Sequence, residues 1–291
     1  RRLRRMLTKS RAKILFATIS AYGGHWWVSL NVEAADLHPA QQHLHRSEGD
    51  HGGWFGVDRG LSAFLVAATA DGTEVARITD APKAVRSGMA RQRRLSKALS
   101  RKKKGSQRRR AAATRLGRHH HRIANIRRHF LHQVSNGLVK THDCLVIEDL
   151  NVTGMLRNHR LAQAISDAGW AEFARLLRYK QQWRNGQVVE ADRWYPSSKL
   201  CPLCGAVRGD LTLADRVFTC DCGNSADRDT NAASNLARWA TRQDPHSSPD
   251  PQAGGRATNA RRRDGADQHP RCAGETSPKD AGTNVHTATA A

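Results

Sequence analysis

At 291 residues the chain has room for one large domain or two modest ones, and its 48 Lys and Arg against 26 Asp and Glu leave a formal charge of +22. Folding does not need that excess; a polyanion whose phosphates release counterions on contact does use it. Membrane is excluded twice, because no run of about 18 apolar residues exists to span a bilayer and no basic stretch carries a continuous apolar face for an anionic surface. The basic start (Arg1, Arg2, Arg4, Arg5) leads only into a short, broken apolar stretch, unlike a secretory signal. A cytoplasmic protein with no small-molecule substrate is therefore expected. The first residue is not methionine, which suggests that the numbering begins inside a longer protein.

In chain order, Ile14 to Ser20 and His25 to Val32 are β-like runs joined by Ala21-Tyr22-Gly23-Gly24, a hairpin by turn chemistry. Residues 34–53 are a polar, His-rich connector. Trp54 to Asp58, the apolar run Leu61 to Ala68 and Thr73 to Thr79, with Asp71-Gly72 as a turn, predict three strands in an antiparallel meander. Arg86 to Arg128 holds 17 Lys or Arg in 43 residues and no acid. Charge runs of this kind are usually solvated, but Ile123, Ile126, Phe130, Val134 and Leu138 recur at helical spacing and predict folded amphipathic helices with a basic outer side. Cys144 to Glu148 reads as a short buried strand, with Cys144 in the core. Trp170 to Trp183 reads as a helix broken by Gly186, and Gln187 to Ala191 as a further strand. After a cysteine cluster comes a final helix, Asp227 to Ala240, packing through Ala232, Ala233, Leu236 and Ala237. Beyond Thr241 the chain has scarcely an apolar residue and is expected to be disordered; Cys272 lies there.

Three meandering strands, helices, strand, helix, strand, insertion and helix is the element order of an RNase H-like α/β domain. In that fold the first and fourth strands are neighbours, so Asp58 and Glu148 can project side by side, with Asp229 approaching from the last helix. Three carboxylates so close repel one another unless divalent cations neutralise them, and hard oxygen ligands suit Mg²⁺ or Mn²⁺. Two such ions could serve phosphodiester cleavage. Each acid also has an ordinary explanation. Asp58 precedes Arg59-Gly60 and could be a turn former. Glu148 could be a solvent-facing strand end beside the equally acidic Asp149. Asp227 and Asp229 could simply favour the positive end of a helix.

Cys201-Pro202-Leu203-Cys204-Gly205 and Cys220-Asp221-Cys222-Gly223 have the knuckle-loop-knuckle layout of a zinc ribbon. Four thiolates favour tetrahedral Zn²⁺ and leave no open position, so a structural role is expected. A redox pair is the weaker alternative. One intervening residue in the second pair, rather than two, should strain that knuckle.

Several segments together resemble the TnpB/OrfB family of insertion-sequence proteins, relatives of type V CRISPR effectors. They are Gly56-Val57-Asp58-Arg59-Gly60, the stretch Leu99 to Ser106, Val146 to Val152, Trp194 to Lys199 leading into the cysteines, and Asp227 to Leu236. The resemblance covers roughly residues 10–240. It implies an RNA-guided DNA endonuclease with a RuvC-type nuclease domain and DNA and a transposon-derived guide RNA as partners. Catalytic acids map to Asp58, Glu148 and Asp229, because the family's Asp-x-Asn-Ala-Ala pattern selects Asp229 over Asp227. Nucleic-acid contacts are expected at Arg101, Lys102, Lys103, Lys104, Arg108, Arg109 and Arg110.

The implied layout is a remnant of a wedge (β-barrel) domain over 1–50, a RuvC-like domain with a basic helical insertion over 51–199, and a zinc ribbon over 200–226. The final RuvC helix covers 227–240 and the tail 241–291. The family's N-terminal recognition part is not found in these residues, which raises the expectation that guided cleavage is lost. Two alternatives stand beside the nuclease: a transposase proper that joins strands, and a non-catalytic nucleic-acid-binding module. Trp54 and Trp194 could stack on bases but are more often scaffold aromatics, and neither is assigned a role.

Overall fold

The computed structural model describes residues 2–34, 53–212 and 214–243. The expected connector over 34–53, the tail beyond 243 and Cys272 lie outside the described residues, apart from the ends of that connector. No helix among the described residues is long and apolar enough to cross a membrane.

A short helix α1 (Arg2–Thr8) precedes strands β1 (Ala12–Tyr22) and β2 (His25–Ala34). These two pair antiparallel around Gly23 and Gly24, both at positive φ (61° and 77°), the backbone that a tight hairpin turn demands. Both strands are longer than expected. The hairpin rests its tip on a later helix, where Arg118 Nε donates to the Gly23 carbonyl at 3.0 Å. Trp27 lies against His121 with ring centroids 4.9 Å apart.

The central sheet has five strands: β3 (Trp54–Asp58), β4 (Leu65–Ala68), β5 (Glu74–Ile78), β6 (Cys144–Glu148) and β7 (Gln187–Ala191). Their order is β5-β4-β3-β6-β7. The first three form the expected antiparallel meander, while β3, β6 and β7 run parallel, so the sheet is mixed. Of the expected strand from Leu61 to Ala68 only the second half pairs, because Leu61 to Phe64 turn the chain back toward β3.

Between β5 and β6 lie the helices α2 (Ala84–Ser100) and α3 (Gln107–Thr141), a basic antiparallel pair. They approach closely at Gly88, where a Cβ would meet Ile123 Cδ1 at 2.6 Å. One member of the expected apolar face is misplaced. Ile126 is 40 % exposed, and Leu131 and Ser135 take the buried positions beside Ile123 and Leu138. Over 35 residues the 3.6-residue period drifts, so a single stripe cannot face one partner throughout. Short helices α4 (Val152–Met155) and α5 (Ala162–Ala168) follow β6, and α6 (Trp170–Gln182) leads into β7. Strands β8 (Val217–Thr219) and β9 (Ser225–Asp227) form a small hairpin before α7 (Arg228–Gln243). That last helix starts after Asp227, which ends β9, and runs three residues past the expected stop at Ala240.

Strand alternation divides the core. Val57, Leu65, Ala67, Leu145 and Ile147 face one layer with Leu131, Leu138, Phe173, Leu176 and Leu177 from α3 and α6. Trp54, Val66, Ala68 and Val146 face the other way, onto Ala233, Leu236 and Ala240 of α7. Period-2 pleating thus serves two helical layers, which explains the near-continuous apolar runs of the central strands. α7 lies directly on β3. A Cβ on Gly56 would sit 1.8 Å from the Ala233 carbonyl oxygen and 2.7 Å from the Ala237 nitrogen, so only glycine permits this approach.

Candidate active site and cysteine cluster

Pleat parity brings two of the expected acids to one place. Asp58 ends β3 two residues after Gly56, and Glu148 ends β6 two residues after Val146; Gly56 and Val146 both face α7. Val57 pairs in parallel with Ile147, which puts the next residues, Asp58 and Glu148, at neighbouring strand ends. Asp229 arrives from the first turn of α7. The Asp58 carboxyl is held well above the usual carboxylate range, first by burial, then by the charges of Glu148 and Asp229, with Arg59 and Arg228 opposing. Glu148 and Asp229 therefore both lie within electrostatic reach of Asp58.

The competing acids are otherwise engaged. Asp227 Oδ1 accepts the backbone N–H of Asp229 at 3.1 Å and of Thr230 at 3.0 Å, capping α7, and pairs with Arg77 Nη2 at 2.7 Å. Asp149 pairs with Arg193. The cap role that sequence alone left open for either aspartate of α7 thus belongs to Asp227.

Two side chains not singled out from sequence hold Glu148. The buried Ser197 hydroxyl donates to Glu148 Oε1 at 2.6 Å. Arg59, buried, donates through its guanidinium to the Glu148 carbonyl and, at 3.3 Å, to that of Trp170. Burial lowers the Arg59 pKa from its ordinary value, with Glu148, Glu190 and Asp58 pulling the other way. Ser197 is itself fixed by α7, since Asn235 Nδ2 donates to the Ser197 carbonyl at 2.8 Å and to that of Leu200 at 2.7 Å. Asn231 Nδ2 reaches the same Leu200 carbonyl at 3.0 Å. Nothing in the local sequence signals these roles, because each partner lies tens of residues away.

Leu200 leads straight into the cysteine cluster. The ligand atoms of Cys201, Cys204, Cys220 and Cys222 all lie within 4.8 Å of one another. Cys201 and Cys222 sulfurs are 3.6 Å apart, those of Cys204 and Cys220 3.5 Å. A disulfide needs about 2.05 Å, whereas Zn–S bonds of about 2.3 Å set tetrahedral sulfur edges near 3.8 Å. The cluster could hold a metal such as zinc. Each knuckle ends on a glycine at positive φ, Gly205 at 74° and Gly223 at 89°. Gly223 N–H closes onto the Cys220 carbonyl at 2.9 Å, so the shorter spacing of the second pair still delivers both sulfurs. Burial alone would push the Cys201 thiol up; backbone N–H groups of Cys204 and Leu203 outweigh it and bring the thiol down to about 6. Among the described residues, the four cysteines form the set that closes this tightly; the three carboxylates do not.

The expected nucleic-acid contacts fall on one tip. Arg101 to Lys104 occupy the exposed turn between α2 and α3, and Arg108 to Arg110 the first turns of α3. Arg109 is partly used in closing that turn, donating to the Leu99 and Lys102 carbonyls at 3.2 and 3.3 Å. Trp54 is core, whereas Trp194 is 84 % exposed. Cys144 is only part-buried, against the α7 layer.

Residues 48–159 match the family model "Probable transposase" of OrfB type, and residues 170–236 match the "Cas12f1-like, TNB domain" model. A protein of Streptomyces pristinaespiralis named "Putative RNA-guided DNA endonuclease" is 45 % identical over 181 residues, covering 62 % of this chain and 44 % of that one. Similarly named proteins are MT2953 of Mycobacterium tuberculosis (35 % identical; 82 % of this chain, 52 % of that one) and InsQ of Escherichia coli (32 %; 75 % and 55 %). The chain spans about half the length of these relatives. A Cas12f1 solved by cryo-EM with its guide RNA and target DNA shares the mixed α/β fold, at a TM-score of 0.50 and 15 % identity, covering 75 % of this chain and 55 % of that one. The chain belongs to the TnpB/OrfB family of insertion-sequence proteins.

Proposed function

We propose that this chain carries the nuclease part of an RNA-guided DNA endonuclease, built on an RNase H-like domain of RuvC type, with DNA and a transposon-derived guide RNA as partners. Asp58, Glu148 and Asp229 are its catalytic acids. The observation that carries the reading is the placement of Asp58 and Glu148 at the neighbouring ends of β3 and β6, with Asp229 on the first turn of α7, where burial and then these two acids hold the Asp58 carboxyl up. Carboxylates gathered at two strand ends and a helix start raise one another's cost in the charged state. Their mutual repulsion is relieved by a cation, and an all-oxygen donor set fits Mg²⁺ or Mn²⁺.

When bound, such ions would activate water and stabilise the leaving oxygen of a phosphodiester. The chain supplies the positioning. The Ser197 hydroxyl holds one carboxylate oxygen of Glu148, and Arg59 ties the end of β6 to the start of α6 while its charge opposes the rise of the Asp58 carboxyl. The four cysteines hold a structural Zn²⁺, with no position left for substrate. The exposed tip between α2 and α3 contacts the phosphate backbone. Residues 51–199 with 227–240 make up the nuclease domain, 200–226 the zinc ribbon, and the N-terminal hairpin belongs to a wedge-type domain.

Asp58→Asn and Glu148→Gln test the reading directly. With Mg²⁺, guide RNA and target DNA, or with single-stranded DNA alone, cleavage should fall by about 10³-fold or more while nucleic-acid affinity changes little. Cleavage that persists in both variants refutes the assignment.

A further inference from the structure

A cavity lies beside the loop that follows the β3 strand end. The loop after β3, the segment after β5, the first turn of α2, the middle of α3 and α5 enclose a cavity of about 390 Å³. Phe64 and Phe130 lie edge to face on its inner side, centroids 5.0 Å apart. Lys83, Arg86, Arg127 and Arg160 line its outer part, and Asp167 is the acid in the lining.

That acid is already spent. Asp167 Oδ1 accepts the Val85 N–H at 2.7 Å and its Oδ2 the Arg86 N–H at 3.0 Å, so the carboxylate caps α2. Arg127 is held in place, donating through Nε to the Asp167 carbonyl at 3.3 Å and through Nη2 to that of Ser166. Among the described residues, the side chains of Lys83, Arg86 and Arg160 take part in no hydrogen bond or ion pair. The cavity thus couples an apolar, aromatic inner wall to a rim whose cations have no internal acid to satisfy them.

A ligand matching both halves carries a flat ring at one end and a phosphate at the other. Inorganic phosphate would occupy a small part of the volume and leave the aromatic wall wet, while an uncharged ring would leave the arginines unused. We infer that this cavity binds one nucleoside phosphate, either as a free nucleotide or as one unit of a single strand, its base against Phe130 and its phosphate on Arg86, Arg127 and Arg160. Gly60 links the cavity wall to the β3 end, but the inference does not require Asp58 to be catalytic.

The full chain should be tested by calorimetry with dTMP and with a ten-residue oligothymidylate, with no divalent ion added, so that a failed nuclease reading leaves the result interpretable. Photocrosslinking with the matching 5-iodouracil compounds maps the contact. A free-nucleotide pocket predicts saturable one-to-one dTMP binding; a strand pocket predicts weak dTMP binding but an oligomer crosslink at Phe130. In either case the exposed double variant Arg86→Ala/Arg160→Ala should weaken the bound species by at least about tenfold and remove the crosslink. Arg175→Ala, an exposed α6 arginine that pairs with Glu172 outside the cavity, should leave the crosslink in place. Absence of both dTMP binding and the Phe130 crosslink, or binding indifferent to the arginine pair, overturns the inference.

Discussion

The central sheet and the cysteine module are held together by different physics, although they share one strap of chain. In the sheet, Val57, Leu65, Leu145 and Ile147 are fully buried, together with Phe173, Leu176 and Leu177 of the α6 layer packed on it. Among the described residues between Cys201 and Asp227, by contrast, Cys201 and Phe218 are the buried ones. A segment of that size cannot hide enough apolar surface to offset its ordering entropy, and the four clustered sulfurs could make up the difference by holding a metal. The difference teaches where damage spreads. A fault in the sheet is global, whereas a fault in the module is local unless it travels through Ser197 and Leu200.

The most far-reaching expected effect, because it acts on the whole fold, comes from Gly56→Ala. The added methyl meets the α7 backbone rather than a side chain that could move, so stability should drop by about 3 kcal/mol or more. Urea denaturation measures it, and a near-neutral result would mean that α7 does not lie on β3 as described. Next is metal removal, by chelation or by Cys204→Ser. Structural zinc sites carry about 10 kcal/mol or more of apparent binding energy. Hydrogen exchange should therefore rise sharply over residues 200–227 and stay protected in β3, β6 and α6. Uniform loss of protection would erase the contrast between the two regions.

Ser197→Ala probes the strap between them. Losing the hydroxyl frees the Glu148 carboxylate, so cleavage should slow roughly tenfold while stability falls by about 1 kcal/mol. Ser197→Thr, which keeps the hydroxyl, should recover much of the rate. Equal loss in both variants would point to packing rather than positioning.

The parts legible in the sequence are those whose signal is local. Leu145-Val146-Ile147 marks a buried strand wherever it lies, and β6 and β7 occupy the expected residues. Paired cysteines with following glycines announce by spacing alone a cluster that could hold a metal. What escaped depends on distance or brevity. Strands β8 and β9, three residues each, are too short for any period. The single face imagined for α3 failed at Ile126 because the helix is long enough to drift past its partner. Asp58, Glu148 and Asp229 could be nominated from topology, but Ser197 and Arg59 could not, since their partners lie far away in the chain. Separating Asp227 from Asp229 by physics required the cap hydrogen bonds.

The most direct test of a shared cation is thermal unfolding at neutral pH with and without Mg²⁺, comparing the wild type with Asp58→Asn. Asp58 has a folded pKa above its unfolded value, so its contribution is most favourable below the unfolded pKa and declines as pH rises from there through the folded one. Without Mg²⁺ the asparagine variant should therefore melt higher than the wild type at neutral pH and lack that decline. Added Mg²⁺ should raise the wild-type midpoint and leave the variant's largely unchanged. Equal Mg²⁺ shifts in both proteins, or none in either, would contradict a divalent ion shared by Asp58, Glu148 and Asp229.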